Sequence, residues 1–458
     1  LFFGSITDAH ILDEESPARV VAAETYLENI GVGSSFRPQE DLTTQVLTAI
    51  IKTLNNISKR TKFDFLLNTG DSIDNCQQNE LTWFLSSLEG SEIDPDSGTN
   101  QDPESGPNND SNDPFISNGL LQSIPWYTSL GNHDVLVQGN VPADLLDAYN
   151  ATVAKFLKFL KIYDSVGNYS NAVLTPWLTP PDVKQLKPGE IIADPRRKFI
   201  NSKEFIQMHL QEKYSKKSTN GFPSSLLNKG SGYYSFYPKS GMPVKFIVLD
   251  TALRIGSSEG GIDVEQYNDF LIPELEKAKK DKELVAIVSH HPGSSIKTTS
   301  SIKKDLMDKY GRNPELRKLV RELTDQMDER KSYVSKKDFY SLLKSYPNVF
   351  AHIAGHKHSN KITPIGDRKH GYWEIQTSSL ISFPQQARMY ELVYEGNNTG
   401  AIQTNVIDHD SQPGSFAAYS RELAYKDASH KKLNYSGTPQ DRNSILRFDI
   451  PPEIAKKL

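Results

Sequence analysis

Six of the chain's 11 histidines stand in, or directly beside, five short polar blocks: Asp8-Ala9-His10, Gly70-Asp71, Gly131-Asn132-His133-Asp134, His290-His291-Pro292 and Gly355-His356-Lys357-His358. Together the blocks offer carboxylate oxygens, an amide oxygen and imidazole nitrogens. That donor set suits Mn, Fe, Zn or Mg better than copper or a thiolate-selected ion. Alternate residues of an extended segment point the same way, so Asp8 with His10, and His356 with His358, are expected to offer paired side chains to one locus. An aspartate shared by two ions ~3.5 to 4 Å apart would build a site that clamps a phosphate and lowers the pKa of water. Any single block is no more than a turn, because Asn and Asp bond their own backbone. Five together ask for a common explanation.

Each block follows an apolar run: residues 1–6, 63–67, 124–130, 284–289 and 349–354. One sheet could therefore deliver all of the side chains to one rim. Between the first two runs, Leu42, Val46, Leu47, Ile50, Leu54 and Ile57 recur at helical spacing after Asp41, which predicts a helix over 42–58 with Asp41 as its N-cap. Strand, helix, strand is the unit of a parallel sheet whose functional loops lie at the strands' carboxyl ends. A further strand is expected at 244–250, and helices at 142–164, 265–280, 303–330 and 337–345. Residues 372–377 and 389–394 alternate, and Glu395-Gly396-Asn397-Asn398 predicts a hairpin turn.

Composition bounds the rest. The 458 residues are 37% hydrophobic, 10% aromatic and 24% charged, the profile of a folded protein with a sizeable core. A net charge of -5 without a basic block disfavours nucleic acid as a partner, and no apolar run approaches the ~18 residues of a membrane span. The single cysteine, Cys76, rules out an internal disulfide framework and a cysteine zinc cluster, and is expected to be a small buried residue. The chain opens Leu1-Phe2-Phe3-Gly4 without methionine. Removal of an upstream segment and an extracytoplasmic location, periplasmic or secreted, are compatible expectations.

The five blocks, in this order, resemble the calcineurin-like binuclear metallophosphoesterases. That resemblance covers residues 8 to 358 and implies an α/β fold, a four-layer sandwich of two mixed β-sheets flanked by helices, with metals at the strand carboxyl ends. It implies Asp8, His10 and His358 on a first metal, Asp71 bridging, and Asn132, His290 and His356 on a second. His133 would then stand beside the substrate phosphate as general acid or charge stabiliser, with Asp134 orienting it. The implied reaction is attack of a bridging hydroxide on phosphorus.

Departures from the family's patterns narrow the branch. Asp71 is followed by Ser72-Ile73-Asp74-Asn75 and His133 by Asp134, unlike the protein serine/threonine phosphatases. Asp74 stands where the purple acid phosphatases carry a metal-bound tyrosine. The Asp-x-His opening is similar to the phosphodiesterase-like and nuclease-like branches, while Gly232-Tyr233-Tyr234-Ser235-Phe236 leading into Asp250-Thr251 resembles phosphatase-like members. The expected activity is hydrolysis of a small phosphomonoester. Phosphodiester cleavage is the first alternative, and a binding or scaffold protein on the same fold is the second.

The expected organisation is a first part of the core over 1–135, an inserted cap over 136–232, a second part of the core over 233–405, and a C-terminal extension over 406–458 packed on the core. Residues 92–113 form an acidic insertion. Asp94, Asp96, Ser97, Gly98, Asp110, Asn112 and Asp113 supply oxygens for a calcium ion within 94–113, without an EF-hand's closing Glu, and their composition favours a solvated loop. His291, His352 and His370 are expected to be structural or to support the site from behind, His209, His409 and His430 to lie at the surface, and Arg388, which could reach a phosphate, to be solvated or salt-bridged instead. The Tyr233 to Tyr237 cluster is expected to pack the core or cap.

Overall fold

The computed structural model describes residues 1–14, 16, 18, 37–97, 113–140, 142–143, 194–214, 220–310, 317–318, 321, 324–325 and 332–458. Most of the expected helix at 142–164, much of that at 303–330, and Gly98, Asp110 and Asn112 of the calcium proposal lie outside them.

The apolar runs form strands buried on both faces. The first sheet contains β1 (Phe2–Ile6), β2 (Phe65–Asn68), β5 (Trp126–Thr128), β6 (Asn220–Gly221), β13 (Gln386–Gly396), β14 (Thr399–Asp408) and β15 (Ser444–Asp449). The second contains β7 (Tyr234–Phe236), β8 (Val244–Val248), β9 (Leu284–Val288), β10 (Val349–Ala354), β11 (Lys361–Gly366) and β12 (Gly371–Gln376). A short pair, β3 (Glu92–Ile93) with β4 (Phe115–Ile116), closes the base of the acidic insertion.

Strand order in the first sheet is β15-β14-β13-β1-β2-β5-β6, with β1, β2, β5 and β6 parallel and β13 to β15 antiparallel. The second runs β11-β12-β10-β9-β8-β7, with β8, β9, β10 and β12 parallel and both edges antiparallel. Both sheets are therefore mixed. The expected hairpin is β13 with β14, turning through Asn397 and Asn398.

Aromatic rings join the sheets. Phe3 and Phe65 of the first sheet meet Phe246 of the second edge-on, with centroids 5.6 and 5.1 Å apart. On the outer face of the first sheet lie α1 (Thr43–Ser58), α2 (Gln78–Glu89) and, packed on α1, α5 (Phe416–His430). Gly4 turns toward that layer: a Cβ there would come within 3.3 Å of Leu54. On the outer face of the second sheet, Ile247, Val285, Ile287 and Val349 pack against Leu275 of α3 (Ile272–Lys280) and Phe339 and Leu343 of α4 (Lys336–Lys344). The result is a mixed α/β sandwich, helices, sheet, sheet, helices. No helix among the described residues is long and apolar enough to cross a membrane.

Several local expectations need correction. Asp41 is not an N-cap, because Glu40–Leu42 form a 3-10 turn that runs into α1. The segment expected as one helix over 265–280 divides into a π-helical stretch, Gln266–Leu271, and α3, which carries Pro273 in its first turn. His209 is fully buried among Phe205, Trp126 and Phe222, and His409 is buried with Nε2 against Gln385 Oε1. Arg388 is buried too, and instead of meeting water or a carboxylate it donates to neutral oxygens of Asn360, Gln376, Thr377, Thr404, Asp441 and Arg442.

Candidate metal centre

The parallel strands end on one side of the sandwich, and the polar blocks follow them there. Asp8 and His10 come after β1, Asp71 after β2, Asn132 and His133 after β5, His290 after β9, and His356 and His358 after β10. Backbone bonds between these loops fix their spacing: Asp8 N–H donates to Gly70 O, His10 N–H to Asp71 O, and Gly355 N–H to His290 O.

The pairs do not arise from extended alternation, as the sequence suggested. Asp8, His10, Asp71, His356 and His358 all have φ between 44° and 69°, the left-handed region. These five are among 12 non-glycine residues with positive φ in the described chain. Such conformations cost on the order of 1 kcal/mol or more each and persist where surrounding structure enforces them, typically at functional sites. Flanking glycines permit the crowding. A Cβ on Gly131 would fall 2.1 Å from Asp71 Oδ1, and one on Gly355 would fall 2.6 Å from Asp8 Oδ2.

Two groups result. Asp8, His10 and His358 meet at one locus, and His356 goes elsewhere, to His290 and His291. Asp71 belongs with both, in a set with His10 and His133 and another with Asp8 and His290. Within each set the donor atoms lie within 4.8 Å of one another. All except His133 and His356 are buried.

Hydrogen bonding leaves this space rich in acceptors and short of donors. His290 Nδ1 is 2.9 Å from Thr69 O, a carbonyl that can only accept, so that nitrogen carries a proton. Its Nε2 then faces Asp71 Oδ2 at 3.0 Å and Asn132 Oδ1 at 3.1 Å, both acceptors. Asn132 is oriented for this by donating Nδ2–H to Gly139 O at 3.1 Å. His10 Nδ1 donates to Asp74 Oδ1 at 2.8 Å. Its Nε2 lies 3.2 Å from His358 Nε2 and 3.8 Å from both Asp8 Oδ1 and Asp71 Oδ2. Lone pairs and carboxylates converge from several sides, and either protons or metal ions relieve the repulsion. The Nδ1 atoms of His10, His290 and His358 are held by oxygens of Asp74, Thr69 and Ser382, an arrangement that fixes imidazoles where they bind metal.

The electrostatics agree. Burial opposes charge on His10, yet its bond to Asp74 and the nearby Asp8 and Asp71 raise it to about 9. Burial likewise opposes charge on His290, but Asp71 and Asp8 raise it to about 9. Burial would favour neutral Asp8 and Asp71, but the surrounding histidines hold both well below the usual carboxylate range. For His358 burial prevails and lowers it to about 4. His356 is also lowered, by burial and by the neighbouring His291 and His290.

His291 touches this centre without an unused nitrogen. Nδ1 meets Thr251 Oγ1 at 2.8 Å and Nε2 meets Ser258 O at 3.1 Å, so its ring buttresses His356 at 4.4 Å between centroids.

The expected partnership of His133 with Asp134 needs correction. Asp134 is buried and its carboxylate accepts four backbone N–H groups, from Gly131 and Asp71 on Oδ2 and from Ser72 and Ile73 on Oδ1. It ties the loops that carry Asp71 and Asn132 together. His133 is held instead by Asp74: Nδ1 lies 2.9 Å from Asp74 O and 3.1 Å from Asp74 Oδ1. Asp74 thus serves His10 and His133 at once. Behind it Glu80, raised to about 8 by burial and by Asp74, accepts from Asn75 N–H and Nδ2–H and from Asp13 N–H.

In the acidic insertion, Asp94 and Asp96 do not come together with a third carboxylate or imidazole among the described residues. Ser97 Oγ and Asp13 instead bond the buried guanidinium of Arg197.

No protein-family model and no curated protein matches the chain. Among solved structures, the chain matches sulfate thiohydrolase SoxB of Thermus thermophilus in complex with glycerol, with a TM-score of 0.32 and 9% identity. The comparison covers 94% of this chain and 60% of that one, so this chain spans less than two thirds of the other's length.

Proposed function

We propose that this chain is a metal-dependent phosphoester hydrolase whose centre is formed by Asp8, His10, Asp71, Asn132, His290, His356 and His358. The observation that carries the proposal is the convergence of His10, His358 and His290 Nε2 atoms on Asp8, Asp71 and Asn132 oxygens. The donor set fits two divalent or trivalent ions of the Mn, Fe, Zn or Mg kind, with Asp71 placed to touch both groups. Bound there, such ions would lower the pKa of water and offset charge on phosphate oxygens.

The chain's own residues supply the rest. Asp74 engages Nδ1 of His133, leaving Nε2 as the atom that can hand a proton to the leaving oxygen. Asp134 maintains the distance between the Asp71 and Asn132 loops through its four N–H contacts. Asn132 presents an oxygen because Gly139 O engages its amide nitrogen. No protein nucleophile is needed.

The substrate we propose is a small phosphomonoester. Para-nitrophenyl phosphate and its bis-ester, offered to protein loaded with Mn, Fe or Zn, test it. Faster turnover of the monoester supports the phosphatase, faster turnover of the bis-ester makes it a phosphodiesterase, and binding of metal without either activity favours the scaffold alternative.

A further inference from the structure

A second polar chain, buried and separate from the ligands, runs across three strands of the second sheet. Glu374 on β12 and His352 on β10 are register partners, and Ser289 follows the end of β9. Their relative exposures are 2%, 0% and 1%. His352 Nδ1 donates to Glu374 Oε2 at 3.1 Å, and His352 Nε2 lies 2.7 Å from Ser289 Oγ. Ser289 Oγ donates in turn to His291 O at 2.7 Å. Glu374 Oε2 also accepts from Gly293 N–H at 2.9 Å and from Tyr340 Oη–H at 3.3 Å.

The serine, histidine and carboxylate stand in the order of a hydrolytic triad, but Ser289 Oγ is buried against His291 O. It cannot meet a substrate. Burying three polar groups is expensive unless they are mutually satisfied, and satisfied networks rigidify what they bond to. These contacts converge on one segment, 289–293, from both ends: Ser289 and His291 at the start, Gly293 at the finish. His290 sits between those anchors.

We propose that Glu374, His352 and Ser289 are positioning residues that set the segment carrying His290, and so set the affinity of the metal locus that His290 shares with His356. The proposal rests on the metal-centre assignment above. It predicts an asymmetric effect. Asp8 and His10 are anchored by backbone bonds to Gly70 and Asp71, and the His358 ring is held by Ser382 in addition to its loop's Gly355 N–H bond to His290 O, so loosening this chain should weaken one metal equivalent and spare the other. Outer-shell partners of metal ligands commonly change affinity by about 10- to 100-fold.

Calorimetric titration with Zn2+ of the metal-stripped full chain tests it. Wild type should bind two equivalents. In Glu374→Gln and His352→Gln one equivalent should weaken at least about 10-fold while the other holds its affinity. Ser289→Ala, which removes only a hydroxyl, should weaken the same equivalent and serves as the test if either larger change fails to fold. Unchanged affinity for both equivalents, even with a lowered melting temperature, would overturn the positioning role while leaving the metal centre standing. A wild-type chain that binds no Zn2+ overturns both.

Discussion

Oδ1 of Asp74 stands 3.1 Å from Nδ1 of His133, and the Asp74 carbonyl oxygen is closer still at 2.9 Å. One residue therefore fixes the imidazole twice, and the same Oδ1 reaches His10 Nδ1 at 2.8 Å. Asp74→Ala should lower kcat for an aryl phosphate by about 100-fold and weaken metal binding through His10 by about 10-fold. Steady-state kinetics with a metal titration would check both effects, and a wild-type kcat would remove Asp74 from the mechanism.

Asp134→Asn should behave differently. An amide in place of this carboxylate points an N–H group at backbone donors that need an acceptor. The expected loss is about 2 kcal/mol of stability, the scale for leaving a buried donor without its acceptor. Urea unfolding would show it.

Gly139 covers His133 and Asn132. A Cβ there would fall 2.3 Å from Asn132 Nδ2 and 2.4 Å from His133 Nε2, and φ is +64°. Gly139→Ala should therefore displace both side chains, with turnover lost and circular dichroism unchanged. Retained activity would mean that the turn does not constrain either residue.

His209 provides a pH dependence remote from the candidate metal centre. Burial among aromatic rings lowers it to about 4 from 6.5, although its Nδ1–H bonds Phe205 O. The unfolded chain takes up this proton first as pH falls, so the stabilisation is complete above about 6.5 and is lost between 6.5 and about 4. A gap of that size corresponds to roughly 3 kcal/mol. The stability difference between wild type and His209→Gln, measured at pH 7 and 4.5, should narrow or reverse in acid; a constant difference would contradict it.

Much of the scaffold was legible because the strands under the site are continuous apolar runs. The stretch 349–354 reads as a strand and is β10, and the five polar blocks follow β1, β2, β5, β9 and β10. Helix α2 was missed because its buried face includes Asn79, Glu80, Ser86 and Ser87, which breaks the apolar period. The Gln77-x-x-Glu80 spacing at its start, which closes as a capping box, and Gly90 just past its end, which is left-handed, were the available signals. Strand β15 lies at a sheet edge and alternates, burying Leu446 and Phe448 while Ile445 and Arg447 face out, and its pairing with β14 is what sets it.

The missed chemistry was long-range. Asp134 adjoins His133 in the chain, but the carboxylate that reaches His133 comes from Asp74, 59 residues away, brought close because β2 and β5 are neighbours. The burial of His209, His409 and Arg388 was equally hidden, since polar sequence surroundings do not reveal which rings and carbonyls pack around them.

The most direct measurement of the central claim is turnover of para-nitrophenyl phosphate by chelator-stripped protein reloaded with Mn2+, compared between wild type, Asp71→Asn and His133→Ala. Activity that appears only with metal in the wild type, and is absent from both folded variants, is the expected result. Turnover by stripped protein, or wild-type rates in both variants, would contradict the assignment.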